Sequence, residues 1–234
     1  MTEKEWNAGR EPLPLLRSVA GSAVRRKFHL FSVACCRRIW IALDDVRLQR
    51  AVEQTEQFAD GAVGVRELTN ARRTAKAAER FTGDSTIEEV AARIVIAVAQ
   101  ANVFRAAGAA QDAASVAAHV TVYGCPDLGL TTTKARQSRY VTEERRERAV
   151  QTRLVRELFG NPFRPITFNP AWRTSDVMLL ANGIYAERAF DRMPILADAL
   201  QDAGCDSDDI LNHCRGDGPH VRGCWVVDHI LGKS

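Results

Sequence analysis

The stretch RRKFHLFSVACCRRIWIAL, residues 25–43, decides the fold class. Phe28, Phe31, Cys35, Ile39 and Leu43 recur every third or fourth residue, and a 3.6-residue helix gathers such positions into one apolar stripe. Arg25, Arg26, Arg37 and Arg38 fall on the other side. A strand would alternate every second residue, and no run of that kind occurs in the chain. Cys35 and Cys36 are neighbours, so on a helix they point about 100° apart. Cys35 reads as core and Cys36 as a flank.

The same periodicity continues outward. Asp44 and Asp45 offer a cap for a helix carrying Val52, Thr55 and Phe58, which stops at Asp60-Gly61. A helical stretch over 65–81 ends at Thr82-Gly83. Ser85 or Thr86, with Glu88 or Glu89 three residues on, has the pattern of a capping box and opens an alanine-rich tract over 87–122. Small side chains let helices approach closely, so that tract is expected at the centre of a bundle, with Gly108 its one candidate interruption. Residues 123–139, YGCPDLGLTTTKARQSR, mix Gly, Pro and threonines with basic residues and read as a loop or linker.

Beyond it, residues 141–159 interleave Glu143, Glu144 and Glu147 with Arg145, Arg146 and Arg148 around an apolar set of Val150, Leu154 and Leu158. Mixed charge of that kind marks a salt-bridged solvent face. Pro162, Pro165 and Pro170 keep the next segment extended. Thr174 or Ser175 then caps a helix, Pro194 begins another that Gly204 stops, and Ser207 caps a short one. The expected architecture is all-α: a helical bundle over 1–122, a loop or linker over 123–140, and a smaller C-terminal helical cap within 141–234.

MTEKEW at the start, LFSVACCRRIW at 30–40, FGNPFRP at 159–165, and AGC…HCR…HVRGCWVVD within 203–228 resemble a paralogous family of uncharacterised proteins found in planctomycete-type bacteria. The resemblance implies a soluble helical protein and supplies no activity or catalytic residue.

Of 234 residues, 46% are hydrophobic and 26% charged, as in ordinary globular proteins. The polar N-terminus, MTEKEWNAGREP, resembles neither a signal peptide nor an anchor, which points to the cytoplasm and to cysteines held as thiols or metal ligands. No apolar run is long enough for a bilayer, so no membrane is expected. The net charge of +3 is too small to argue for nucleic acid. Arg25, Arg26, Lys27, Arg37 and Arg38 could contact phosphates, but Phe28, Phe31 and Trp40 belong to the core stripe and not to an exposed stacking platform. Nucleic acid is therefore not an expected partner. A protein partner or self-association is.

The last forty residues concentrate the chemistry. Cys205, Cys214, His220 and Cys224, spaced C-x8-C-x5-H-x3-C, are the candidate zinc ligands. On a helix His220 and Cys224 would lie one turn apart, while His213, adjoining Cys214, would point elsewhere, toward a supporting position. The short C-x2-C knuckle of structural zinc sites is missing. Packing of the three cysteines as small buried hydrophobes is the first expectation, zinc the second, and no other cofactor is expected. Cys214 or Cys224 could act as a nucleophile with His213 or His220 as base, but no nucleophile elbow, phosphate loop or dinucleotide fingerprint accompanies them. A non-enzymatic interaction or regulatory module is the expected role, with a small zinc-stabilised domain or an enzyme using these residues as the alternative.

Overall fold

The computed structural model describes residues 1–20, 25–78, 86–123 and 132–233. In chain order its helices begin with α1 (Glu3–Ala8), α2 (Pro12–Ser18), α3 (Arg25–Arg38), α4 (Val46–Ala59) and α5 (Val65–Lys76). Then come α6 (Ile87–Val98), α7 (Val103–Gln111), α8 (Ala113–Tyr123) and the long α9 (Thr133–Phe159). The series closes with α10 (Ser175–Glu187), α11 (Met193–Asp202), α12 (Asp208–Arg215) and α13 (Trp225–Leu231). The described residues contain no strand, and the fold is all-α. None of these helices is long and apolar enough to cross a membrane.

Contacts divide the chain into two units, residues 9–152 and residues 1–8 with 153–234. This differs from the expected division into 1–122, 123–140 and 141–234 in two respects. Residues 133–140, expected as loop, are the first two turns of α9. Thr132 accepts a hydrogen bond from the Ala135 amide at 3.1 Å, and Arg139 pairs with Glu143 one turn on, so the basic run is helix and not linker. The first eight residues belong with the C-terminal unit because Arg156 donates to the Trp6 and Asn7 carbonyls, at 2.5–3.1 Å, and Asn161 to Glu3 at 2.9 Å. Thr82-Gly83, Ser85 and residues 124–131 lie outside the described residues.

In the unit of residues 9–152, α3 is the central element. It is buried continuously from Lys27 to Cys36 and packs against α4, α6, α7 and α8. Cys36, expected as a flank, is fully buried, because alanines of α6–α8 such as Ala91, Ala106 and Ala110 let neighbours close in on every side. The alanine tract is three helices. Asn102 caps α7 by accepting from the Arg105 amide at 3.1 Å, whereas Gly108 lies inside that helix and breaks nothing. Three of the four arginines of α3 are engaged by carboxylates. Arg26 pairs with Asp60 at 3.0 Å and Arg37 with the buried Glu56 at 3.0 Å, while Arg38 grips both carboxylate oxygens of Glu147.

An imidazole is built into this core. His29 on α3 is buried edge-on against Phe58, and its Nδ1 finds no partner among the described residues. Burial, with the charge of Arg25 beside it, lowers its pKa to about 4. The unfolded chain takes up this proton near pH 6.5, the folded one only near 4. Stability linked to His29 is thus intact above pH 6.5 and is lost as pH falls toward 4, by about 3 kcal/mol in all. Urea denaturation should show the wild type losing that much more stability than His29→Leu between pH 7 and pH 4. Parallel pH profiles for the two proteins would refute the assignment.

Candidate metal centre

The C-terminal unit forms its own core. Val177, Ala181 and Ile184 of α10 meet Leu196 and Leu200 of α11, Ile210 and Leu211 of α12, and Val226, Val227 and Ile230 of α13. Cys205, Cys214 and Cys224 all lie in this cluster. Thr174 caps α10, and the Trp172 indole donates to the Gly204 carbonyl at 3.1 Å, tying the segment before α10 to the bend after α11.

Against the edge of this core four side chains converge: Glu157, His213, His220 and Cys224. Their ligand atoms all lie within 4.8 Å of one another. Glu157 comes from the last turn of α9 and His213 from the last turn of α12. His220 lies on the turn between α12 and α13, and Cys224 holds the N-cap position of α13. His213 Nε2 is 3.2 Å from Glu157 Oε2 and 3.2 Å from Cys224 Sγ. His220 Nδ1 is 3.2 Å from both Glu157 oxygens. The carboxylate side chain is 3% exposed and that of His220 7%, and Cys224 is fully buried.

Local sequence explains the convergence. Ile210, Leu211 and Cys214 are spaced i, i+1, i+4 on α12 and form its buried face. The helical step from Cys214 turns His213 off that face, toward Glu157. Gly218 has φ +76°, and a Cβ there would stand 2.6 Å from the His220 amide nitrogen, so only glycine permits the chain to double back to His220.

The sequence-predicted ligand set is thus brought together in part. His220 and Cys224 meet, but Cys205 and Cys214 are packed in the core, and Glu157 and His213 take the remaining positions. His213, expected in a supporting position, is itself in the cluster. Glu157 escaped notice because it stands 56 residues before His213 in a helix whose charges read as a solvent face.

The second ring nitrogens are also engaged. His220 Nε2 is 3.2 Å from the Gly216 carbonyl, and the Trp225 indole donates to His213 Nδ1 at 3.1 Å. Both nitrogens of His220 therefore face acceptors, which calls for two protons, hence an imidazolium, in the metal-free protein. Burial pulls His220 down, yet the hydrogen bond and charge of Glu157 raise it past its ordinary value. Burial pushes Glu157 up, but the hydrogen bonds from the two imidazoles and the charge beside it hold it below the usual carboxylate range. Burial, followed by the Glu157 charge, pushes the Cys224 thiol well up and that of Cys214 to about 12. Neither thiol is primed as a nucleophile, which needs a thiolate with access to substrate.

A tetrahedral ion with bonds of about 2.0–2.3 Å separates its ligand atoms by roughly 3.3–3.8 Å. Three of the separations here, at 3.2 Å, are close to that and all lie within 4.8 Å, so this cluster could hold a metal ion. His220 is suited to bind through Nδ1 while its Nε2 hydrogen stays on the Gly216 carbonyl, the outer contact that ligating histidines usually keep. No protein family, curated protein or solved structure matches the chain.

Removing the carboxylate tests how much this convergence contributes without metal. Glu157→Gln leaves the His220 imidazolium buried without its counter-charge, and chelator-treated protein should lose about 3 kcal/mol in urea denaturation. A loss under about 1 kcal/mol would show that the contact is incidental.

Proposed function

We propose that the C-terminal unit is a zinc-clasped helical module that serves interaction and not catalysis. The observation that carries this reading is the convergence of four donors of types zinc favours, two imidazoles, a thiol and a carboxylate, within 4.8 Å of one another, three of the pairs at 3.2 Å, and largely out of solvent. Four protein ligands fill a tetrahedron and leave no position for a reacting water. That is the pattern of structural sites, whereas catalytic ones keep a ligand position open. Zinc would then fasten the end of α9 to α12 and α13 and add its binding energy to folding. A protein partner or a second copy of the chain is the counterpart such a module would engage. Nucleic acid is disfavoured because Arg26, Arg37 and Arg38 already hold carboxylates. Membership of the planctomycete-type family and a cytoplasmic setting, where the Cys224 thiol stays reduced, belong to the same proposal.

A second reading rests on the Trp225 hydrogen bond. That donor requires His213 Nδ1 to accept, which places the ring proton on Nε2, facing Glu157. The cluster is then a metal-free latch in which one carboxylate accepts from two imidazoles.

Elemental analysis of protein purified without chelator separates the two. Zinc is expected at one ion per chain. It should be lost in His220→Ala and Cys224→Ala and retained in Cys205→Ala and Cys214→Ala, which should cost only on the order of 1 kcal/mol of stability each. Metal-free protein whose Tm does not rise on adding zinc would leave only the latch standing.

A further inference from the structure

The two states of the cluster make incompatible demands on one side chain, Trp225. An indole nitrogen only donates, so its contact with His213 Nδ1 at 3.1 Å fixes the metal-free ring as the Nε2–H tautomer. Zinc held by Nε2 needs the lone pair that this hydrogen occupies. A neutral ligating imidazole carries its hydrogen on Nδ1 instead, and there it would face the indole N–H donor to donor at the same 3.1 Å. Zinc binding would break the Nε2–H bond and form a Zn–Nε2 bond, the ring proton would move to Nδ1, and the indole hydrogen bond would lose its acceptor.

We infer that zinc occupancy and the indole of Trp225 are coupled, so that loading the metal turns the indole off His213 and reshapes the cavity beside it. This rests on the zinc reading above. Space for the movement is present. Trp225 and His213 both line an open cavity of about 670 Å³, whose other walls include Trp6, Phe159 and Gly160. Trp225 is only half-buried and lies across Gly160, where an added Cβ would already be 3.4 Å from the ring. The metal-loaded and metal-free proteins therefore present different walls to whatever enters this cavity. Trp225 acts here as a positioning residue: it touches no metal, and it sets the affinity of the site by stabilising the metal-free tautomer.

The test uses the full chain, stripped of metal and titrated with zinc ion against a chromophoric chelator, as wild type and as Trp225→Phe. The variant lacks the donor that holds the metal-free tautomer, so it should bind zinc about tenfold more tightly, the equivalent of one hydrogen bond. In the wild type, zinc should shift one indole 15N–1H resonance. That of Trp172, bonded to the Gly204 carbonyl, should stay in place as an internal reference. This second measurement needs no variant and holds even if Trp225→Phe folds poorly. Zinc binding with all indole signals unmoved, or with equal or weaker affinity in Trp225→Phe, overturns the coupling and leaves the zinc reading intact. No zinc binding by either protein overturns both.

Discussion

A carboxylate that is 3% exposed has lost nearly all of its hydration, and an ionised group in that position survives only with compensating charge and hydrogen bonds. Glu157 has both, from His213 and His220, and the geometry around it follows from that need. The carboxylate ends a helix, one imidazole ends another, and the second sits in a turn closed by a glycine with positive φ. Apolar packing among α10–α13 orders the unit in general terms. The polar cluster fixes where the last turn of α9 must stop against it, because ion-pair and hydrogen-bond geometry tolerates far less displacement than apolar contact does.

Two glycines make that placement sterically feasible. Gly160, with φ +64°, ends α9 just past Glu157 and leaves room for the Trp225 ring across its missing side chain. Gly218 does the same for the backbone leading to His220. The cluster and its supporting indole thus meet because the chain lacks side chains at two positions, as much as because of the groups it carries. Trp225 connects the two features, packing on Gly160 and bonding His213.

The fold class was legible because helical periodicity is local: Phe28, Phe31 and Cys35 announce a helix without knowledge of their partners. The centrality of α3 was not. One stripe looks the same whether a helix is buried on one side or on all, and only the small residues of α6–α8 distinguish the cases. Half of the candidate site was legible for the same reason of locality. His220 and Cys224 lie in one glycine-rich turn. Cys214 packs in the core, as the first expectation for the three cysteines had it, and its spacing from Ile210 and Leu211 leaves His213 free to point outward. Glu157 had no local signal. Its role depends on a contact across 56 residues, and its neighbours' charges hid it.

Charge accounting is the same for the latch and for the proposed metal clasp. Without metal, the Glu157 carboxylate and the His220 imidazolium cancel and the Cys224 thiol is neutral, while the Trp225 donor makes His213 Nδ1 an acceptor and its ring neutral. On the zinc reading, the dication would be balanced by the carboxylate and a Cys224 thiolate, with both imidazoles neutral. Loading exchanges one proton from His220 and one from Cys224 for the ion, and the net charge stays at zero on either side. A site of unchanged net charge avoids the penalty of burying a bare charge in either state. What differs between the two is direction, namely which atoms donate and which accept. Toward groups outside the cluster that difference would fall on His213, because His220 keeps its hydrogen on the Gly216 carbonyl in both states. On the zinc reading, the choice between latch and metal clasp would lie in the donor that faces His213 from outside the cluster, the indole of Trp225.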